Sequence, residues 1–352
     1  MPPPGSPILI DGSHGEGGGA LVRTALTMSA LTQQAVRIDH VRTGTKFPGL
    51  DYEDVVLATA LAKSCQAETR GLEPGSLSVS FLPTKKAGAL QGSLDLPDES
   101  GRRSASTPVV LNSLLPVLAK SGAYSSVTLS GETYGHRSLG FDYLANVTLP
   151  VLSKAGLYAF PDQEEAGFGR ESGGRVSIDI EPSSINGLAW GERGKLKSCR
   201  AVITTAELPQ SVAERAASHL SRLSQSAKLK MEIDLNPVDA RSAGAFVTLW
   251  TEFERGWGGS TSMGQRGIKI ESVAQSAFEE LLDWLSTDAT VDPFLADQIL
   301  IPLVVGESSS TIKTNRLTQR LLTMIWVVKQ FLPIHITILG KENEAGTITI
   351  KK

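Results

Sequence analysis

Helix and strand patterns in this chain come in a recurring set, and that repetition restricts the fold more than any single motif. An apolar helical pattern over residues 20–31 is followed by a β-branched run at 36–41, a loop at 45–49 and a second helical pattern at 52–64. The same order returns at 107–120, 126–130 and 141–154, and again at 293–304, 310–313 and 317–331. Further short alternating or β-branched runs accompany the sets at 77–81, 176–180, 333–339 and 347–350. The sets start 87 residues apart (Ala20 to Thr107) and then 186 (Thr107 to Pro293). The second interval therefore holds one repeat plus roughly 100 residues more, the size of a small domain. The pattern predicts an α/β (α+β) fold of three repeated αβ units, each a small sheet with two helices on one face, plus a smaller inserted αβ domain. The large domain comprises residues 1–187 and 289–352, and the insert 188–288. Within the insert, strands are expected at 198–205, 228–234 and 244–252, helices at 209–224 and 272–286, and a glycine loop at Gly256-Trp257-Gly258-Gly259. Two unrelated domains in series is the alternative the same pattern allows. The polar stretches 97–106 and 161–174 read as surface connections.

Composition narrows the class. With 41% hydrophobic and 20% charged residues, the chain has the balance of a globular protein with ample core. Its formal net charge of −3 excludes blanket adhesion to nucleic acid, so any such contact must come from a local group of arginines and lysines. The only cysteines, Cys65 and Cys199, are far apart and outside metal-type spacing, which predicts buried thiols in a reducing compartment. The start, Met1-Pro2-Pro3-Pro4-Gly5, lacks the basic and apolar regions of a signal peptide. No run approaches the roughly 18 apolar residues a membrane span needs. A cytoplasmic protein without membrane partners is expected.

The richest local chemistry lies at Asp11-Gly12-Ser13-His14-Gly15-Glu16-Gly17-Gly18-Gly19-Ala20-Leu21-Val22-Arg23. A short β-type run at residues 7–10 precedes it and the first helix follows, so glycine amides and a helix N-terminus stand open to an anion. Glu16 adds a carboxylate suited to a divalent metal, and Arg23 adds a phosphate clamp. The common nucleotide fingerprints do not fit, because no Gly-Lys-Ser/Thr follows and Ala20 sits where a third spaced glycine would fall. A plain turn with a surface acid is the competing reading. A second cationic loop, Arg42-Thr43-Gly44-Thr45-Lys46-Phe47-Pro48-Gly49-Leu50, can hold phosphate oxygens through side chains and backbone together, or be a solvated hairpin. Asp297 and Gln298 interrupt an apolar helix, Phe294-Leu295-Ala296-Asp297-Gln298-Ile299-Leu300-Ile301-Pro302, and by pattern alone they belong on its outer face.

These segments, in this order and over almost the whole chain, resemble the RNA 3′-terminal phosphate cyclase family. The opening glycine loop and Arg-bearing helix match it, as do Arg42, Gly44, Pro48, Gly49 and Leu50, the Leu-Ala-Asp-Gln-x-x-x-Pro signature at 295–302, and Gly191-Glu192-Arg193-Gly194. The resemblance implies that Glu16, Gly17, Gly18, Asn112, Phe294, Leu295, Ala296, Asp297 and Gln298 bind nucleotide. Phe294 would pack on adenine, Asp297 would orient the catalytic group, and Glu16 would hold Mg²⁺ or Mn²⁺. It implies Arg23 and Arg42 as catalytic phosphate contacts, ATP as cofactor and an RNA 3′ end as partner. Members often carry a second arginine near Thr45 and a glutamine close to Glu53, and both differ here. Asn112 stands where a glutamine is usual.

The departure that matters lies in Leu317-Thr318-Gln319-Arg320-Leu321-Leu322-Thr323-Met324. Family enzymes read His-Leu-x-Thr-Asn there. Their histidine takes AMP from ATP and passes it to the RNA 3′-phosphate, and the 2′-OH then displaces it to form a 2′,3′-cyclic phosphate. Arg320 holds the histidine position and Met324 that of the asparagine. A guanidinium has no free lone pair at neutral pH, so Arg320 is no nucleophile, although it can clamp a phosphate. His14 is the candidate surrogate and His136 a weaker one, whereas His40, His219 and His335 read as structural. The expected function is an ATP-dependent cyclase lacking its covalent residue, or a non-catalytic RNA- or nucleotide-binding paralogue. An enolpyruvyl-type transferase, which shares the repeated architecture, fits the length poorly.

Overall fold

The computed structural model describes residues 6–95, 104–136, 138–169 and 173–352. The first unit runs β1 (Ile8–Asp11), α1 (Gly19–Thr32), β2 (Val36–Asp39), α2 (Tyr52–Cys65), β3 (Glu68–Arg70) and β4 (Val79–Leu82), with sheet order β1-β2-β4-β3. The second runs β5 (Gln91–Ser93), β6 (Ala105–Ser106), α3 (Thr107–Ala119), β7 (Ser125–Glu132), α4 (Phe141–Tyr143), a π turn (Leu144–Thr148), α5 (Leu149–Lys154), β8 (Ala159–Glu165) and β9 (Arg175–Ile180). Its sheet order is β5-β7-β9-β8, with β6 beside β7. The third unit opens with β10 (Ala189–Trp190) and is then interrupted by β11 (Leu196–Ala206), α6 (Gln210–Ser226), β12 (Glu232–Pro237), β13 (Gly244–Phe253), β14 (Gly256–Met263) and α7 (Ile270–Leu285). It resumes with α8 (Pro293–Val305), β15 (Ser310–Thr314), α9 (Gln319–Phe331), β16 (His335–Leu339) and β17 (Gly346–Lys351), in sheet order β10-β15-β17-β16.

The three sheets share one pairing scheme. The first strand runs parallel to the second (Ile8↔Val36, Gln91↔Ser126, Ala189↔Thr311), and the second antiparallel to the last (Val36↔Phe81, Ser125↔Ile180, Ser310↔Ile350). One face of each sheet is covered by helices, so buried and exposed residues alternate, as in β1, where Ile8 and Ile10 are buried and Leu9 is exposed. The helices of the three units meet centrally, α1 against α2, α3 and α9, and α8 against α3 and α9. Central helices are apolar over most of their surface: Leu21, Val22, Leu26 and Met28 of α1 and Leu295, Ala296 and Ile299 of α8 are completely buried, and the cleft face carries polar side chains such as Arg23, Asp297 and Gln298.

Local chemistry explains where the observed elements depart from the sequence pattern. The expected helix over 141–154 contains a π turn because Pro150 has no N–H to give the Asn146 carbonyl; the indole Nε1 of Trp257, in β14, donates to that oxygen at 3.2 Å instead. Ala189 and Trp190, expected inside the insert, pair with β15 of the third sheet. The glycines expected to form a loop at 256–259 begin strand β14, where an absent side chain at Gly258 leaves room for the Trp284 indole. Residues 161–165 of the expected connection at 161–174 belong to edge strand β8 (Ala159–Glu165), while 170–172, and 97–103 of the other expected connection, lie outside the described residues.

The interrupting segment forms its own sheet, β12-β11-β13-β14, with α6 and α7 packed on it. It is tied to the repeated body by Phe246 against Tyr134 (ring centroids 4.9 Å apart) and by two buried carboxyls. Asp142 accepts from Tyr134 Oη (3.0 Å) and from Thr204 Oγ1 (2.7 Å), and burial pushes its pKa up to about 6. Asp292 caps α8 through the N–H groups of Phe294 and Leu295 and also accepts from Gly259 N–H (2.9 Å) and the Tyr143 hydroxyl. Cys65 and Cys199 are buried free thiols, as expected. No helix among the described residues is long and apolar enough to cross a membrane.

Candidate functional site

The start of α1, the first turn of α2, the cleft face of α8 and the N-terminal turn of α9 enclose a cleft of about 620 Å³. Arg23 lies one turn into α1, and Arg42 follows β2 with φ +51°. Both reach the first turn of α2. Arg23 Nη1 contacts Glu53 Oε1 at 2.6 Å and Asp54 Oδ1 at 3.4 Å, and Arg42 Nη1 contacts Asp54 Oδ2 at 2.6 Å. Asp54, with no exposed surface, also accepts the N–H of Asp51 as half of the capping box that starts α2. The two guanidiniums close over Gly19, where a Cβ would lie 2.5 Å from Arg23 Nη1 and 2.5 Å from Arg42 Nη2. Gly18, the N-cap, has no side chain to satisfy the first amides of α1. A helix N-terminus with two fixed guanidiniums above it presents N–H donors of the kind that suit a phosphate.

Opposite them stands an arginine between two carboxyls. Gly15, at φ +60°, lets the loop turn against Thr323 of α9, whose hydroxyl accepts the Glu16 N–H at 3.0 Å. Glu16 then faces Arg320, with Oε1 3.4 Å from Nε, and Asp297 Oδ2 lies 3.8 Å from Arg320 Nη1. Thr318 caps α9 by accepting the Leu321 N–H and donates its hydroxyl to Asp297 Oδ1 at 3.3 Å. Asp297 is 7% exposed, and burial drives its pKa up to about 7 against the pull of Arg320. Its contribution to stability is therefore complete below the ordinary value of 3.8 and lost as pH rises to about 7. Urea unfolding at several pH values checks this: Asp297→Asn should gain on the unmodified chain across that window, by at most about 1.4 kcal/mol per pH unit. A difference that stays flat with pH would mean Asp297 is ionised throughout.

Of the residues singled out from sequence, Glu16, Arg23, Arg42, Asn112, Phe294, Asp297, Gln298 and Arg320 line the cleft. Asp297 and Gln298, placed on an outer face by pattern alone, point inward because α8 is central. Leu295 and Ala296 turn into the core instead, since helical periodicity puts 294, 297, 298 and 301 on one side and these two on the other. Gly17 and Gly18 lie outside the lining, and the Gly17 N–H is engaged by His14 O at 2.9 Å. His14 leaves the cleft altogether and stacks on Trp326, with ring centroids 3.8 Å apart. His136 does line it, its Nδ1 3.0 Å from Gln265 Nε2. Of the histidines read as structural, His40 and His335 are exposed, whereas His219 bonds Gln275. Two acceptors in the site, Glu16 Oε2 and Asn112 Oδ1, are buried without a partner. Asp54 and Asp292 were not visible as site residues in the sequence; the capping pattern Asp51-x-x-Asp54 was the one available signal.

Past Arg320 the cleft continues into a second cavity of about 760 Å³ between the repeated body and the inserted sheet, and both share Phe294, Gln298, His136 and Arg320.

The family model for RNA 3′-terminal phosphate cyclase matches residues 14–338. The chain belongs to the RNA 3′-terminal phosphate cyclase family. It is 34% identical over 324 residues to the RNA 3′-terminal phosphate cyclase of Gloeothece citriformis, covering 92% of this chain and 93% of that one. It is 32% identical over 352 residues to that of Methanopyrus kandleri, covering 98% of each. Among solved structures, the enolpyruvyl transferase NikO from Streptomyces tendae aligns over 98% of this chain and 48% of its own, at 10% identity and a TM-score of 0.41. In this cyclase-family chain the position of interest on α9 is an arginine lying in the cleft, with its side chain 42% exposed, and Met324 one turn on also lines the wall.

Proposed function

We propose that this member of the cyclase family binds an RNA 3′-terminal phosphate and ATP in the cleft without taking AMP onto its own side chain. The observation that carries this reading is Arg320, seated between Glu16 and Asp297 at the cleft where the family resemblance places the nucleophile. A guanidinium held there by two carboxyls has no lone pair to attack phosphorus, but it has N–H donors for a phosphate. Arg23, Arg42 and the start of α1 supply a second set of donors over Gly19. Asn112 Oδ1, buried and unpartnered, can accept from a ribose hydroxyl, and Phe294 gives a base an apolar face. Glu16 Oε2 fits one coordination position of Mg²⁺ or Mn²⁺, with phosphate and water completing the shell, since no three metal-ligating side chains cluster among the described residues. Such an ion, when bound, neutralises phosphate charge. The buried free thiols suit a reducing, cytoplasmic setting.

Binding of short oligoribonucleotides ending in 3′-phosphate or 3′-hydroxyl tests the reading. The phosphorylated end should bind more tightly, and Gly19→Ala, which drives the two guanidiniums off the start of α1, should erase about tenfold of that preference. Equal affinity for the two ends would sink it. The second reading, conversion of the 3′-phosphate to a 2′,3′-cyclic phosphate with ATP, draws on His136, which reaches both cavities. It requires a covalent adduct on that side chain.

A further inference from the structure

The loop between Arg42 and Asp51, both of which line the cleft, carries a ring that phosphate binding leaves unused. Phe47 is 75% exposed, more than any other large apolar side chain among the described residues, and Lys46 Nζ lies 5.3 Å from its ring centroid. A single exposed phenyl ring is ordinary on a protein surface. The loop around this one is fixed. The Thr45 N–H donates to Arg42 O (2.9 Å), and the Thr45 hydroxyl sits 3.0 Å from Arg42 O and 3.1 Å from Phe47 O. Gly49 gives its N–H to Val41 O (2.8 Å), and its carbonyl accepts from Arg42 Nη1 (3.1 Å). Pro48 restricts the backbone of Phe47 to extended conformations. Phe47 is two positions from Gly49, a reach of at most about 7 Å, so it stands near the Arg42 guanidinium.

We propose that Phe47 stacks on a base of the RNA chain upstream of its 3′-terminal nucleotide, with Lys46 beside it. This rests on the ligand-binding reading above and adds a base contact to its phosphate contacts. A phosphate held by Arg23 and Arg42 over Gly19 leaves the rest of the strand to pass out of the cleft, and the loop at 43–50 forms the rim on the Arg42 side. Single strands are held by aromatic rings set among cations, because every base has a face to stack whatever the sequence. The loop also lacks the second arginine that family members often carry near position 45. Thr45 spends its hydroxyl inside the loop, so this rim offers an apolar ring where a further charge would otherwise hold the backbone. With three quarters of its surface exposed, the ring keeps a face open to a base.

Calorimetric titration of the full chain separates stacking from backbone contact. The probes are ATP, a 3′-phosphorylated mononucleotide, a 3′-phosphorylated trinucleotide, and the same trinucleotide with its upstream bases removed. The unmodified chain should bind the intact trinucleotide about tenfold more tightly than the abasic one, and Phe47→Ala should erase that difference while leaving ATP and the mononucleotide unchanged. Phe47→Trp should restore it, with a change in tryptophan fluorescence on adding the intact trinucleotide beyond that of the unmodified chain. Because stacking releases no counterions, Phe47→Ala should leave the salt dependence of trinucleotide binding as it was. The thermal midpoint should not move, since the side chain is exposed. A loss in Phe47→Ala that is equal for intact and abasic trinucleotides, or that extends to ATP or the mononucleotide, overturns the proposal, as does no loss at all. A Phe47-dependent preference for bases, in a chain that binds 3′-phosphate and 3′-hydroxyl trinucleotides alike, would retain the platform and discard the function proposed for the cleft. Failure of the trinucleotide to bind discards both.

Discussion

Incubated with ATP labelled at the α-phosphate and a divalent metal, then denatured, the unmodified chain is expected to retain no label, and Arg320→His to retain it. The difference is one of orbital availability. Neutral imidazole has a nitrogen lone pair to offer phosphorus, whereas a guanidinium has none to offer. The surroundings of residue 320 suit the exchange. Asp297, its carboxyl raised to about 7 and already held by Thr318, lies beside the position and can accept an imidazole N–H, which sets the tautomer. Glu16 lies on the other side. Label on the unmodified chain would overturn the non-covalent reading and direct the search to His136. An unlabelled Arg320→His chain that still binds ATP would show that more than the nucleophile has changed, with Arg320→His/Met324→Asn the next variant, since Met324 lines the same wall.

The second large effect is on stability. Asp54→Ala should cost about 3–5 kcal/mol, read as a fall in denaturation midpoint, because it strips the shared carboxylate from buried Arg42 and half-buried Arg23 at once. Arg42 loses its 2.6 Å partner, Arg23 keeps only Glu53, and the N–H of Asp51 loses its acceptor at the start of α2. Glu53→Ala is the control, since it removes one contact of Arg23 and leaves Asp54 serving both arginines. A loss below about 1 kcal/mol for Asp54→Ala would mean the network is hydrated rather than buried, and the guanidiniums over Gly19 would not be fixed in place.

How far the sequence reaches can be judged residue by residue. Periodicity was enough for the three αβ units, because each strand and helix had one face to bury and the spacing of apolar residues records that face directly. The π turn at 144–148 and the strand at 256–263 were out of its reach, since a carbonyl freed by Pro150 and a bare Cα at Gly258 acquire meaning only from Trp257 and Trp284, distant in the chain. Arg320 stood out in the sequence as a chemical impossibility for a nucleophile, a property of the side chain itself. That it lies between Glu16, 304 positions earlier, and Asp297 is a matter of helix packing. The same packing sent His14 onto Trp326 and away from the cleft, turned Leu295 and Ala296 into the core, and brought Asp297 and Gln298 to the site instead. Residue types determine which groups can donate, accept or attack. Which of them share a cavity depends on the close-packed contacts between α1, α8 and α9, and those contacts are written in no local stretch of the chain.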